Sequence, residues 1–360
     1  MISRRQLLTV LAAIAAVPRH AFGQDAPAGR GQPRDTTPLV PPFESTGWKT
    51  VWLDHLNYQC VDYKKAAAFY ATLMGWKVRS DDGKRALLDI GENSGGIIIR
   101  GGLTAPPPAA ITDAGLGANR PKVQAVFDGF GWGIEPWDTD TVKVELEKRG
   151  LEPVADHHGS DYRSFRLKDP DGFDLAITNG TRALRRKTPA SAKLPAPAPF
   201  EPTGWNTLYL DHISFEVPDF RRSAAFYQAL LGWDVRPGNG TQASVQIGSI
   251  AGAIIRGNAA ARAAARGNAG AAAPAPPPAN GVTAAGTATV GHISYGIGNW
   301  DTERVRAELK KRDVVYLNRD GQREPRPDMT GTLESFHVPD AMGWDLQIGN
   351  KIAPSRAAGG

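Results

Sequence analysis

The stretch TGWKTVWLDHLNY, from Thr46 to Tyr58, returns 157 residues later as TGWNTLYLDHISF, from Thr203 to Phe215. At that offset the chain aligns without a gap from Pro42 through Arg79 onto Pro199 through Arg236, with about half of the positions identical. A repeat of this length builds one architecture twice, and 360 residues leave room for about two domains, each with its own core. In both copies apolar and polar residues alternate up to an Asp-His pair. That is the pattern of a strand with its histidine on one face.

The strand is followed each time by a turn and a helix, KKAAAFYATLMG after Asp62-Tyr63 and RRSAAFYQALLG after Asp219-Phe220. Asp62 and Asp219 stand where an N-terminal acceptor is needed, and Gly75 and Gly232 where a left-handed C-terminal residue is needed. The alternating runs ALLDIG, GGIIIRG, SVQIG and AGAIIRG read as strands. A weaker echo fills the second half of each copy. FDGFGWGIEPWDTDTVKVELEKRG from Phe127 lies over VGHISYGIGNWDTERVRAELKKRD from Val290, and the two end in GFDLAI and GWDLQI. The expected architecture is α+β, four βαβββ modules forming two domains. Phe69-Tyr70 and Phe226-Tyr227 read as core residues of amphipathic helices, and Trp48 and Trp205 as covers for the domain ends.

Residues 1–23 combine Arg4-Arg5, a short apolar run and Ala21-Phe22-Gly23. They read as a signal peptide of twin-arginine type, too short for a membrane span, which sends the chain to the periplasm or outside the cell with no membrane attachment after removal. Residues 24–46 and 181–202 read as linkers, 47–180 and 203–351 as the domains, and 352–360 as a tail. Ala/Pro/Gly-rich inserts from Ala105 to Lys122 and from Ala259 to Thr289 read as surface loops. The single cysteine, Cys60, excludes an internal disulfide. The net charge of +5 is spread over leader and linker and forms no stripe on one element, so nucleic acid is not an expected partner.

Four such units, a first-strand histidine, helices ending F-Y-x-x-L-x-G-W, and the phrase DPDGFDLAI from Asp169 resemble the vicinal oxygen chelate superfamily of glyoxalases, bleomycin-resistance proteins and extradiol dioxygenases. The resemblance covers nearly all of residues 47–351. It implies paired units around a cavity, with metal ligands on two first strands and one last strand. The first-strand positions hold His55, Gly129, His212 and His292, and the last-strand positions hold Ala176 and Gln347. The implied metal set is therefore His212, His292 and Gln347 in the second domain. Asp345 is a further candidate ligand, two residues before Gln347 on the same face, and Glu216 a more distant one. His55 would replace His212 if the first unit paired with the fourth, and otherwise the first domain is degenerate.

The dioxygenases it resembles use two histidines and a glutamate, so Gln347 is a departure that weakens the set. His337, where their pattern has a tyrosine, is the candidate acid–base residue. The expected cofactor is a divalent metal, Fe(II) or Mn(II), and the expected partner a small substrate with vicinal oxygens. The chain would be an extradiol dioxygenase-like or glyoxalase-like enzyme; a non-catalytic binding protein of the bleomycin-resistance type is the alternative. His157-His158 read as solvated, and Arg319, Arg323 and Arg326 as a loop cluster able to meet an acidic substrate.

Overall fold

The computed structural model describes residues 37–104, 119, 121–187, 190, 192–258, 261 and 288–353, apart from 93, 160 and 237–239. The expected signal peptide, the early part of the first linker, most of both Pro-rich inserts and most of the tail lie outside the described residues.

Unit one comprises β1 (Lys49–Cys60), α1 (Tyr63–Met74), β2 (Lys77–Asp81), β3 (Arg85–Asp89) and β4 (Gly96–Arg100). Unit two comprises β5 (Ala125–Glu135), α2 (Thr139–Lys148), β6 (Val154–Ala155), β7 (Ser164–Lys168) and β8 (Asp174–Thr178). After a short helix α3 (Arg182–Arg186), unit three runs β9 (Thr207–Val217), α4 (Phe220–Leu231), β10 (Asp234–Arg236), β11 (Gln242–Ile247) and β12 (Ala251–Gly257). Unit four holds β13 (Thr289–Ile297), α5 (Thr302–Lys311), a hairpin of β14 (Tyr316–Leu317) and β15 (Arg323–Glu324), then β16 (Arg326–Thr330), β17 (Leu333–Pro339) and β18 (Asp345–Gly349). The hairpin is an addition to the expected βαβββ pattern, and α3 lies in the stretch expected as a plain linker.

Two eight-stranded sheets result, β2-β3-β4-β1-β5-β8-β7-β6 and β10-β11-β12-β9-β13-β18-β17-β16. In each, two units join through their antiparallel first strands, and each first strand pairs in parallel with the last strand of its own unit. First and last strands therefore lie at the centre. Period-two alternation turns Ile213, Phe215 and Val217 of β9 into the apolar core while His212, Ser214 and Glu216 form a buried polar row on the opposite face.

The helix signals act where the sequence puts them. The carboxylates of Asp62, Asp138, Asp219 and Asp301 accept from backbone N–H groups in the first turns of their helices. Gly75 and Gly232 close α1 and α4 at φ of 71° and 66°, a region that favours glycine. A second constraint acts there: a Cβ would lie 2.2 Å from the carbonyl oxygen of Trp205, or 2.3 Å from that of Trp48. Each helix end thus touches the strand entry of the other half.

That contact belongs to a reciprocal seam. Thr46 Oγ1 donates to Leu230 O and Thr203 Oγ1 to Leu73 O, at 2.7 and 2.6 Å. Trp76 Nε1 donates to Thr207 Oγ1 at 2.9 Å, and Trp233 Nε1 to Thr50 Oγ1 at 3.1 Å. Trp76 stacks on Tyr70, and Trp233 on Tyr227. The segments before Trp48 and Trp205 are docked as well: Phe43 packs on Phe226, and Phe200 on Phe69. Thr46, placed in the first linker on sequence grounds, is thus tied into the seam.

Candidate metal centre

The antiparallel register of β9 and β13 sets His212 opposite Ser294, Ile213 opposite Ile293, and Ser214 opposite His292. The tripeptide His-Ile-Ser occurs in both strands, so two histidines and two serines form a four-cornered patch on one face of the sheet. All four are buried. On the far side of β13, Ser294 pairs with Gln347 of β18, which pairs with His337 of β17, which pairs with Arg326 of β16. One transverse row therefore carries His212, Ser294, Gln347, His337 and Arg326.

His212 and His292 converge, with their Nε2 atoms 3.0 Å apart. His212 Nδ1 is 2.8 Å from Asp211 Oδ2, which holds its proton on Nδ1 and leaves a lone pair at Nε2. Burial, then the neighbouring His337 and His212, hold the pKa of His292 well below its ordinary value, so its ring is neutral near pH 7. A neutral His292 ring that meets the Nε2 lone pair of His212 shares one proton with it or shares a cation. Metal–nitrogen bonds of about 2.1 Å at a right angle place two nitrogens about 3.0 Å apart.

Gln347 completes the group. Its Nε2 donates to Ser335 Oγ at 2.8 Å, which orients the amide and leaves the buried Oε1 without a partner. His292 Nδ1, Ser214 Oγ and Ser294 Oγ are likewise buried without partners. Unpaired buried polar atoms are costly and rare. Four on one face of the sheet, together with two imidazoles converging through Nε2, suit a divalent cation and its ligands.

Asp345 and His337 form the flank of this centre. His337 Nδ1 is 3.0 Å from Asp345 Oδ2. The same carboxylate accepts from Tyr316 at 2.8 Å and Arg326 at 3.2 Å. Burial opposes ionisation of Asp345, yet His337 and Arg326 pull its pKa down to about 2. Burial lowers the pKa of His337, and Asp345 offsets part of that effect. One nitrogen or oxygen each from His292, His337 and Asp345 lie within 4.8 Å of one another, a second possible grouping that shares His292.

His55 is not brought to this group. It lies in the first sheet, its Nδ1 2.7 Å from Asp54 Oδ2, and Asp54 also accepts from Tyr162 at 2.8 Å. It faces Gly131, where a Cβ would sit 2.5 Å from its ring. Gly129, equivalent in register to His292, is enclosed by Asn57 and Asp174. The fourth unit's histidine thus meets the third unit's, not the first's. Glu216 is buried on the face of His212, across from Arg256. His158 is paired with exposed geometry to Asp156, and His157 accepts from the Ser164 amide. Of the arginine cluster, Arg326 reaches Asp345, Arg323 pairs with Asp313, and Arg319 is exposed.

Sequence reasoning missed three participants. Ser214 and Ser294 were visible as the repeated tripeptide, whereas Tyr316 sits in the added hairpin and left no signal.

Residues 52–177 match the model of the Glyoxalase/Bleomycin resistance protein/Dioxygenase superfamily. No curated protein matches the chain by sequence. Among solved structures, it is similar to the Mn(II)-bound glyoxalase from Novosphingobium aromaticivorans, at 15% identity and a TM-score of 0.52, covering 84% of this chain and 82% of that one. Homoprotocatechuate 2,3-dioxygenase from Arthrobacter globiformis matches at 15% identity and a TM-score of 0.52, covering 87% and 83%. The homoprotocatechuate 2,3-dioxygenase from Brevibacterium fuscum, in complex with 3,4-dihydroxyphenylacetate, matches at 14% and 0.51, covering 89% and 84%.

Proposed function

Residues 52–177 form a domain of the Glyoxalase/Bleomycin resistance protein/Dioxygenase superfamily and the second half repeats its fold; from that premise we propose that the chain is an exported metal-dependent enzyme whose reaction centre lies in the second half. The observation that carries this reading is the 3.0 Å approach of His212 Nε2 to His292 Nε2 beside the unpartnered Gln347 oxygen. These three residues would hold a divalent cation, Fe(II) or Mn(II), and Asp211 would keep His212 in the tautomer that binds it. The cation supplies Lewis acidity and a template for two adjacent oxygens of a small substrate.

Ring-cleaving dioxygenation of a catechol-like compound is the preferred reaction, with glyoxalase-like isomerase or lyase chemistry next. The Mn(II)-bound glyoxalase and the 3,4-dihydroxyphenylacetate complex among the structural neighbours support that pair of chemistries. His337 is neutral near pH 7 and would take or return a proton at Nε2, with Asp345 fixing its ring. Ser214 and Ser294 would donate hydroxyl hydrogens to bound oxygens.

One observation favours a second reading. Gln347 brings no charge to a place where a carboxylate would bind metal more firmly, which suits a protein that sequesters a small molecule without transforming it. Export through the twin-arginine route, to the periplasm or beyond, rests on residues 1–23 alone.

Metal analysis of untagged protein separates the two readings. The enzyme reading expects one divalent ion per chain and its loss in His292→Ala; no stoichiometric metal would leave the binding reading standing. Oxygen uptake by iron-loaded protein with catechols tests the reaction, and no uptake removes dioxygenation. Fractionation of cells producing the full chain and an Arg4→Lys/Arg5→Lys variant tests export.

A further inference from the structure

We propose that His337 is itself a ligand, so that the cation sits on a face of three histidines, His212, His292 and His337, with the Gln347 amide oxygen as fourth protein donor. This rests on the reading of the second half as a metal centre, changes its composition and charge, and has Nε2 of His337 bind the cation in place of the proton transfer assigned to it above.

Three observations place His337 there. Its strand, β17, lies next to that of Gln347 in the sheet, and the register sets the two side chains opposite each other on one face. The ring centroids of His212 and His292 are 5.1 Å apart, and those of His292 and His337 4.9 Å, both pairs edge to face. Imidazoles bound through Nε2 at about 2.1 Å have centroids about 4.6 to 5.3 Å apart for right-angle to tetrahedral geometry. His337 is also presented as His212 is, its Nδ1 held by a carboxylate, Asp345 in one case and Asp211 in the other. A carboxylate behind an imidazole is how proteins orient a metal-binding histidine. The Nε2 of His337 is 4.0 Å from Asp328 Oδ2, beyond hydrogen-bond reach.

Asp345 acts through His337 in this arrangement. It already accepts from Tyr316, Arg326 and His337, which leaves little lone-pair capacity for a cation. The consequence is electrostatic. Three neutral imidazoles and a neutral amide leave the full charge of a divalent ion to be balanced, so the site favours a substrate that binds as an anion through its paired oxygens. Nitrogen-rich sets also favour Fe(II), Co(II), Ni(II), Cu(II) and Zn(II) over Mn(II) and Mg(II).

The test is pulsed electron paramagnetic resonance of the mature protein loaded with one equivalent of Cu(II), in which the remote imidazole nitrogens report how many histidines coordinate. The proposal expects three in the wild type, two in His337→Ala and three in Asp345→Asn. It also expects Zn(II) affinity to fall at least tenfold in His337→Ala. Two coordinating histidines in the wild type would overturn it and leave the metal-centre reading intact. An unchanged count in His337→Ala, or the loss of one in Asp345→Asn with His337 intact, would overturn it in the same way. Copper bound without any coordinating histidine, or no stoichiometric copper, would overturn both.

Discussion

Tyr227 donates its hydroxyl to Asp169 Oδ2 at 2.6 Å across the seam between the halves, and in the reciprocal place Tyr70 donates to Asp340 Oδ2 at 2.8 Å. In each case the other carboxylate oxygen accepts two backbone N–H groups of its own turn. The turn that ends one half is thereby fastened to a helix of the other.

The Asp169 contact makes stability depend on pH. Burial and the adjacent Asp171 carboxylate push the pKa of Asp169 up to about 7 from an ordinary 3.8. A raised folded pKa means that its contribution is fully present below the unfolded value and fades as pH rises through the folded one. Asp169→Asn, which imitates the protonated acid, should raise the melting temperature at pH 8, about 2–4 °C for each kcal/mol recovered, and leave it unchanged at pH 4. Melting curves from pH 4 to 8 check this, and equal shifts at both ends would refute the assignment.

The threonine clasps should behave as independent equivalents. Thr46→Val and Thr203→Val each remove one donor from the end of the opposite half's helix, at a cost of about 1 kcal/mol. The two act on different helices, so the double variant should lose the sum within about 0.5 kcal/mol. Urea titrations read the midpoints.

Ser214 and Ser294 bury hydroxyls that have no partner, so their removal should not harm the metal-free fold. Ser214→Ala and Ser294→Ala are expected to unfold at the same or slightly higher temperature. If the hydroxyls donate to a bound substrate, the same changes should weaken its binding about tenfold, a contrast between stability and affinity that a packing role would not produce.

Metal should be held by one half only. His55→Ala should leave one ion per chain, because Gly129 and Ala176 offer no donor beside it. Saturation at about one hundred times the dissociation constant stabilises by about 2.7 kcal/mol. Acid should erode that gain, since protons compete for the imidazoles. Calorimetry with and without chelator at pH 7.5 and 5.5 measures it; an equal gain at both values would exclude histidine ligation.

Much of this was readable from local pattern. Asp62, Asp219, Gly75 and Gly232 are decided by the few residues around them, and they occur in the structure as expected. The repeats left two partners open for His292, His212 and His55, and only the pairing of β9 with β13 decides for His212. What stayed hidden was remote. Tyr227 and Asp169 are 58 residues apart, and Tyr70 and Asp340 are 270 apart; nothing in a helical Phe-Tyr pair tells which carboxylate its hydroxyl meets. Asp345 was expected as a ligand from its spacing to Gln347, but its partner Tyr316 comes from a hairpin that the repeat does not contain, and its partner Arg326 from an edge strand whose counterpart in the first sheet carries Val154 instead.

The clasp between the halves makes the fold of one half a condition for the fold of the other. Residues of the first half finish α4, shelter Trp233 and buttress the turn at Asp340. Damage to the first half would therefore loosen the end of α4, the cover over Trp233 and the turn at Asp340 without altering a single residue of the second sheet.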